Sequence, residues 1–211
     1  MGIRLLLKYL FLLFFCVPSA ACAFSPACRF LEWFAGTAQR TVYVRSQFLA
    51  SPIRIWSTGQ TGVARAALDI AHSLHFERGG FCPADRRAQD GQIPAEYPLQ
   101  ETAFSGSGES VERNVQGSDG TLVLTWGVVP PGSWIDHAIR WSREHSKPFL
   151  VVDMRESVND GAIRDWLRDH SIATLHVAGP PETAARGYIA SSAQIILLRI
   201  FAQETVPAVA H

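Results

Sequence analysis

Only one of the four cysteines in this 211-residue chain, Cys82, lies beyond residue 28; the others are Cys16, Cys22 and Cys28. A lone thiol closes no internal disulfide and no C-x-x-C pair occurs, so the bulk of the chain is not built for an oxidising compartment. Charge of one sign is also missing, since Lys+Arg and Asp+Glu both number 19. That balance leaves no basic track for nucleic acid and no patch for an anionic membrane. Seven histidines are present without ligand spacing. His72 and His75, three apart beside the apolar stripe of a predicted helix, read as surface residues, and no metal site is expected. There are no internal repeats or low-complexity tracts, and neither G-x-G-x-x-G nor a G-K-[ST] loop occurs. The apolar run Tyr9–Val17 is too short to span a bilayer comfortably, and Lys8 interrupts it upstream.

The amino-terminal fifty residues differ from the rest. Arg4 and Lys8 precede the apolar run, and Ala21-Cys22-Ala23 follows, the pattern of an export signal cleaved near Ala23. The competing reading starts from the scarcity of methionine, with only Met1 and Met154 present. A true start at another codon near Val42, Val44 or Leu49 would make residues 1–50 a mistranslated segment. Residues 51–205 then form a single cytoplasmic α/β domain, a size that holds one substantial core.

What the domain does have is a glycine-bearing turn between a strand and a helix. Ile53–Trp56 is an apolar run of strand length, and Ser57-Thr58-Gly59-Gln60-Thr61-Gly62 follows it. Val63, Ala66, Ala67, Ile70, Ala71 and Leu74 then fall at the spacing of a helix with one buried face. Strand, turn and helix in this order present free backbone N–H groups and a positive helix end to an anion. Gly59 and Gly62 permit positive φ or close approach of a phosphate. Thr58, Gln60 and Thr61 add neutral donors, and Arg65 a positive charge one turn into the helix. The alternative is a connecting turn that binds nothing.

Downstream, residues 79–91 hold two consecutive glycines, a proline and several charges, and read as a loop without a core element. Arg86 and Arg87 offer forked donors for a phosphate or carboxylate, or else pair with Asp85 and Asp90. An edge strand is expected at Leu99–Thr102 and a short helix at Glu109–Gln116, ended by Gly117. Buried strands are expected at Thr121–Trp126, Phe149–Asp153 and Thr174–Ala178. Helices are expected after Ser133, over Asp160–His170, and from the Gly179–Thr183 loop to about Gln203, with Tyr188, Ile189, Ile195, Ile196 and Ile200 packed on the sheet. Gly132 and Ser133 open the second loop-to-helix junction, and Asp153 ends a strand where ligand-facing residues of open sheets lie. Strands alternating with helices imply a mostly parallel, Rossmann-like sheet with helices on both faces, preceded by a non-core amino-terminal segment.

Several blocks together resemble a known family. They are Ser57–Val63 with Arg65–Asp69, Gly79–Pro83 with Arg86-Arg87-Ala88 and Asp90-Gly91, Tyr97-Pro98-Leu99 with Glu101-Thr102, Arg113-Asn114-Val115, Ser118–Thr121, Val151–Asp153 and Val177–Pro180. The chain is similar, from Ile53 to about Leu198, to the molybdenum (cofactor) carrier proteins, the circularly permuted YpsA-like branch of the SLOG superfamily. The resemblance implies a Rossmann-like, cytoplasmic domain and a site for a phosphate-bearing small molecule, either molybdenum cofactor (molybdopterin) or a nucleotide-like ligand. A homo-oligomer is left open.

The chain departs from that family's pattern at five places. Thr58 stands for a Gly, Ala64 for an Asp, Pro131-Gly132-Ser133 for a Gly-Gly-Thr, Pro181 for an Arg and His176 for an Asn. The lost acid and the lost Arg weaken the case for catalysis. The expectation is therefore a non-catalytic binding or carrier protein, with Thr58, Gly59, Gln60, Thr61, Gly62, Arg65, Arg86, Arg87, Gly132 and Ser133 around the ligand. The alternatives are a LOG-like nucleotide hydrolase, with Asp119, Asp153 or Glu182 as its carboxylate, and a degenerate paralogue with an interaction role.

Overall fold

Ile55 is buried between half-exposed neighbours in β1 (Arg54–Trp56), which sets one face of a sheet from the first strand onward. The computed structural model describes residues 53–202, so the expectations for residues 1–50 lie outside the described residues. Helix α1 (Val63–Ser73) buries Val63, Ala66, Ala67, Ile70 and Ala71, the predicted stripe. β2 (Arg78–Gly79), β7 (Gly120–Thr125), β8 (Phe149–Asp153) and β9 (Thr174–Ala178) join β1 in a parallel sheet of order β2-β1-β9-β7-β8. The carboxyl ends of all five strands therefore lie along one edge. β9 is the last strand in sequence yet sits between β1 and β7, so the crossovers from β1 to β2 and from β7 to β8 run outward in opposite directions. That reversal opens a crevice above β9.

The remaining helices are α2 (Ser107–Gly117), α3 (Trp134–Glu144), α4 (Asp160–Asp169) and α5 (Ile189–Phe201). Ile55, Leu122, Leu124, Leu175 and Val177 turn to one face, where α1, α4 and α5 complete the larger core. α2 and α3 cover the opposite face. There Gly117 lies against the Trp56 indole and Ser142 of α3 meets Thr121 of β7. A core thus lies on either side of the sheet, as the alternation predicts.

Four expectations are corrected. First, residues 79–91 carry short strands, β3 (Phe81–Cys82), β4 (Arg87–Ala88) and β5 (Gly91–Gln92). β3 pairs with β6 (Gln100–Glu101), not with the main sheet, and Leu68, Cys82, Ile93, Tyr97 and Leu99 form a satellite core beneath them. Second, β8 is an edge strand, because only β7 pairs with it, and Val151 is exposed rather than buried. Third, α2 begins at Ser107, and Gly117 is its last residue rather than its stop. Fourth, Tyr188 and Ile195 face solvent, and Ala193, Leu197 and Phe201 join Ile189, Ile196 and Ile200 on the packed face of α5.

Arg86 explains how a segment so rich in turns holds one shape. Its guanidinium donates to the carbonyls of Ile93, Pro94, Tyr97 and Leu99, at 2.8 to 3.3 Å. Asn114 of α2 adds a second clasp, donating to the Phe81 carbonyl and accepting from the Phe81 N–H, both at 2.9 Å. Replacing Arg86 with alanine would strand four carbonyls, a loss of about 2–4 kcal/mol. The expected result is a lower midpoint in urea denaturation, little recovered by Arg86→Lys, whose ammonium cannot span four acceptors.

Candidate functional site

Loop 57–62 leaves β1 with Gly59 at φ 74° and Gly62 at φ 80°, the left-handed region its sequence anticipated. Among the described residues the N–H groups of Thr58, Gly59, Gln60, Thr61 and Gly62 meet no protein acceptor, whereas Val63 N–H donates to Pro180 O at 3.2 Å. The third loop therefore closes over the start of α1, and the five preceding amides keep no protein acceptor among the described residues. The two loops touch so closely that a Cβ on Gly62 would stand 2.5 Å from Pro180 O and 2.7 Å from Glu182 N.

At the crevice above β9 lies a cavity of about 110 Å³, walled by all three loop-helix junctions: Thr58, Gln60 and Ala64 from the first, Trp134 and Ile135 from the second, Gly179 and Pro181 from the third. His176 forms part of its wall. Among the described residues no carboxylate, lysine or arginine lines it, and burial pushes the His176 imidazole down to about 3, so that wall is uncharged at neutral pH. Thr58 lines the cavity with no protein partner for its hydroxyl, and the Trp134 indole beside it is 49% exposed. A half-exposed flat ring in the wall of a neutral cavity can stack a planar heterocycle. A second, wider cavity of about 500 Å³ is lined by Thr61, Gly62, Arg65, Asp90, Glu182 and Arg186, among others.

The structure divides the expected site residues. Thr58 and Gln60 line the smaller cavity; Thr61, Gly62 and Arg65 line the wider one. Gln60 also donates to Arg87 O at 2.7 Å. Arg65 is drawn inward: it ion-pairs with Asp90 and donates to Gly59 O, bracing the loop from behind. Arg86 belongs to the carbonyl cluster described above and lines neither cavity, and Arg87 is exposed, with no partner for its side chain among the described residues. At the second junction Ser133 Oγ accepts from Asp136 N–H and the Asp136 carboxylate accepts from Gly132 N–H, a reciprocal cap. Asp136 so occupies the position an anion would take at α3.

The candidate carboxylates are all engaged in structure. Asp119 lies at the amino ends of the strands, accepting from the N–H groups of Ala173 and Thr174, and so stands at the opposite edge from the crevice. Asp153 accepts from Gly127 N–H and pairs with Arg155, whose hydrogen bonds hold its carboxyl down at about 2. Glu182 accepts from Gly187 and Ala190 N–H, capping the start of α5.

A family model described as the circularly permutated YpsA SLOG family matches residues 55–201. The chain belongs to this family. Among solved structures, the YpsA-like chain is similar to the "Putative molybdenum carrier protein" of Syntrophus aciditrophicus SB, with 34% identity and a TM-score of 0.67. The match covers 72% of this chain and 96% of that one. No curated protein matches. Thr58, Ala64, His176 and Pro181 share the wall of the small cavity, and Pro131-Gly132-Ser133 leads directly into Trp134.

Two contributors escaped the sequence reading. Gln89 lines both cavities, and its Oε1 accepts from the hydroxyls of Thr61 at 3.4 Å and Thr183 at 3.1 Å, tying the satellite segment to two loops. Nothing local marks it. Trp134 did carry a signal, a large aromatic at the first helical position behind a Ser cap, where burial is not expected.

Proposed function

We propose that this protein binds and carries a small phosphate-bearing ligand without transforming it, the ligand being molybdenum cofactor or a nucleotide. The observation that carries this reading is the uncharged wall of the crevice cavity. General acid–base chemistry requires a group that exchanges a proton near neutral pH within reach of the ligand. His176, the one titratable side chain in that wall, is held neutral and lies far below that range. The residues present fit both halves of such a ligand: a planar ring against Trp134, and a phosphate on the free amides of Thr58 to Gly62 at the entrance to α1. Among the described residues no group of three His, Cys, Asp or Glu side chains could hold a metal ion, so a molybdenum atom would be carried by the organic part of its cofactor. The name of the Syntrophus protein points the same way. Among the described residues no helix is long and apolar enough to cross a membrane.

The test is native mass spectrometry of the protein purified from a molybdenum-replete bacterial cytoplasm. The expected spectrum contains an added mass equal to a pterin phosphate or a nucleotide. A bare mass, together with no rise in thermal midpoint on adding either class at millimolar concentration, would refute the binding reading. Turnover of an added nucleotide would refute the non-catalytic part alone.

A further inference from the structure

His176 is 1% exposed, and its Nε2 is a buried polar atom with no hydrogen-bond partner. An unpartnered polar atom in a folded interior is costly and calls for an explanation. Its other nitrogen, Nδ1, lies 3.4 Å from Thr121 Oγ1. That hydroxyl lies 3.2 Å from Ser142 Oγ, which in turn lies 2.8 Å from Ala138 O.

The protons along this chain can be placed one at a time. A carbonyl oxygen only accepts, so the short contact at Ala138 requires the Ser142 proton. Ser142 Oγ then faces Thr121 with a lone pair, and Thr121 must donate to it. Thr121 Oγ1 is left as an acceptor toward His176, which fixes the imidazole as the tautomer with its proton on Nδ1. Nε2 consequently carries a bare lone pair. His176 lines the small cavity, whereas neither Thr121 nor Ser142 does.

We infer that the Nε2 lone pair of His176 is the ring-recognition contact of the crevice, accepting a hydrogen bond from an N–H of a flat nitrogen heterocycle stacked on Trp134. The Ser142–Thr121 relay holds the acceptor in place, and among the described residues no cation lines the wall to compete for it. A guanine ring and a pterin ring share the required chemistry, each presenting N–H groups on one edge of a planar system. The inference rests on the binding reading above and adds to it the class of ring and the residue that reads it.

The test compares the parent, His176→Phe and Trp134→Ala by isothermal titration with guanosine 5′-monophosphate, neopterin monophosphate and ribose 5-phosphate. Histidine ¹⁵N NMR on the parent reads the tautomer directly. The expected result is that His176→Phe keeps or raises the thermal midpoint, since it removes an unpaired buried acceptor. The same variant weakens the ring-bearing probes roughly tenfold or more and leaves ribose 5-phosphate unchanged. Trp134→Ala weakens the same two probes. Preference for one of the two ring-bearing probes assigns the source as nucleotide or pterin. Three results would overturn the inference while leaving the binding reading intact: unchanged ring affinity in His176→Phe, an equal loss for ribose 5-phosphate, or a proton on Nε2 in the free protein. Absence of binding by the parent to all three probes overturns both.

Discussion

Gly62→Ala is expected to lower the thermal midpoint by about 6–12 °C, the equivalent of about 3 kcal/mol for a domain of this size. Two costs combine. Gly62 has φ 80° and ψ −132°, a mirror-β conformation that only glycine adopts readily. In addition, a Cβ there would meet Pro180 O and Glu182 N inside their van der Waals contact distance, and both are backbone atoms that cannot swing aside. The third loop would have to lift from the start of α1, breaking the Val63–Pro180 hydrogen bond and opening the crevice. Gly132→Ala is the matched control. Its φ of 72° also favours glycine, but no atom lies within 4 Å of the new methyl, so only the backbone strain of about 1 kcal/mol is expected. Differential scanning calorimetry of the two variants checks the contrast. Equal shifts would show that the loop contact contributes nothing.

Acid should destabilise the domain through His176, and earlier than carboxylate titration alone would. The folded-state imidazole is pushed down to about 3 from an ordinary value of 6.5, with burial as the cause. The unfolded chain therefore binds a proton between those limits that the folded chain does not. Stability is fully present above pH 6.5 and falls as pH drops, by about 1.4 kcal/mol per pH unit. Urea denaturation of the parent and His176→Phe at pH 7 and pH 4.5 isolates the effect, because the carboxylates are common to both. The variant is expected to gain about 3 kcal/mol on the parent over that interval. Parallel curves would mean that the imidazole accepts its proton in the folded state, through a rearrangement that exposes it.

The candidate site shows where reading a sequence succeeds and where it stops. Ser57 to Gly62 was legible because glycine at a strand-to-helix turn has a local cause, and both Gly59 and Gly62 take the positive φ that the pattern called for. Arg65 and Arg86 were legible as cations but not as structural clasps. Arg65 meets Asp90, 25 positions away, and Arg86 meets carbonyls 7 to 13 positions away, in a segment whose short strands have no periodicity to betray them. Asp119, in the turn before β7, was a candidate carboxylate for the hydrolase alternative alone. Which end of the sheet that turn occupies depends on strand direction, and its partners are Thr174, the first residue of the last strand, and Ala173 just before it.

By itself the sequence determined the alternation of strands and helices, the parallel sheet it entails, the positions of the three loops and the membership of the YpsA-like family. Each of these rests on residues adjacent in the chain or on periodicity within one element. Only the tertiary structure decided that β9 slots between β1 and β7, that β8 lies at an edge, and that His176 stands in the wall served by the loop of Ser57, whose Oγ donates to the carbonyl of Val177, 120 positions away. The physical reason is that strand order and burial are settled by which faces can be covered together. A histidine within an apolar strand carries no local sign of whether its nitrogens will find partners.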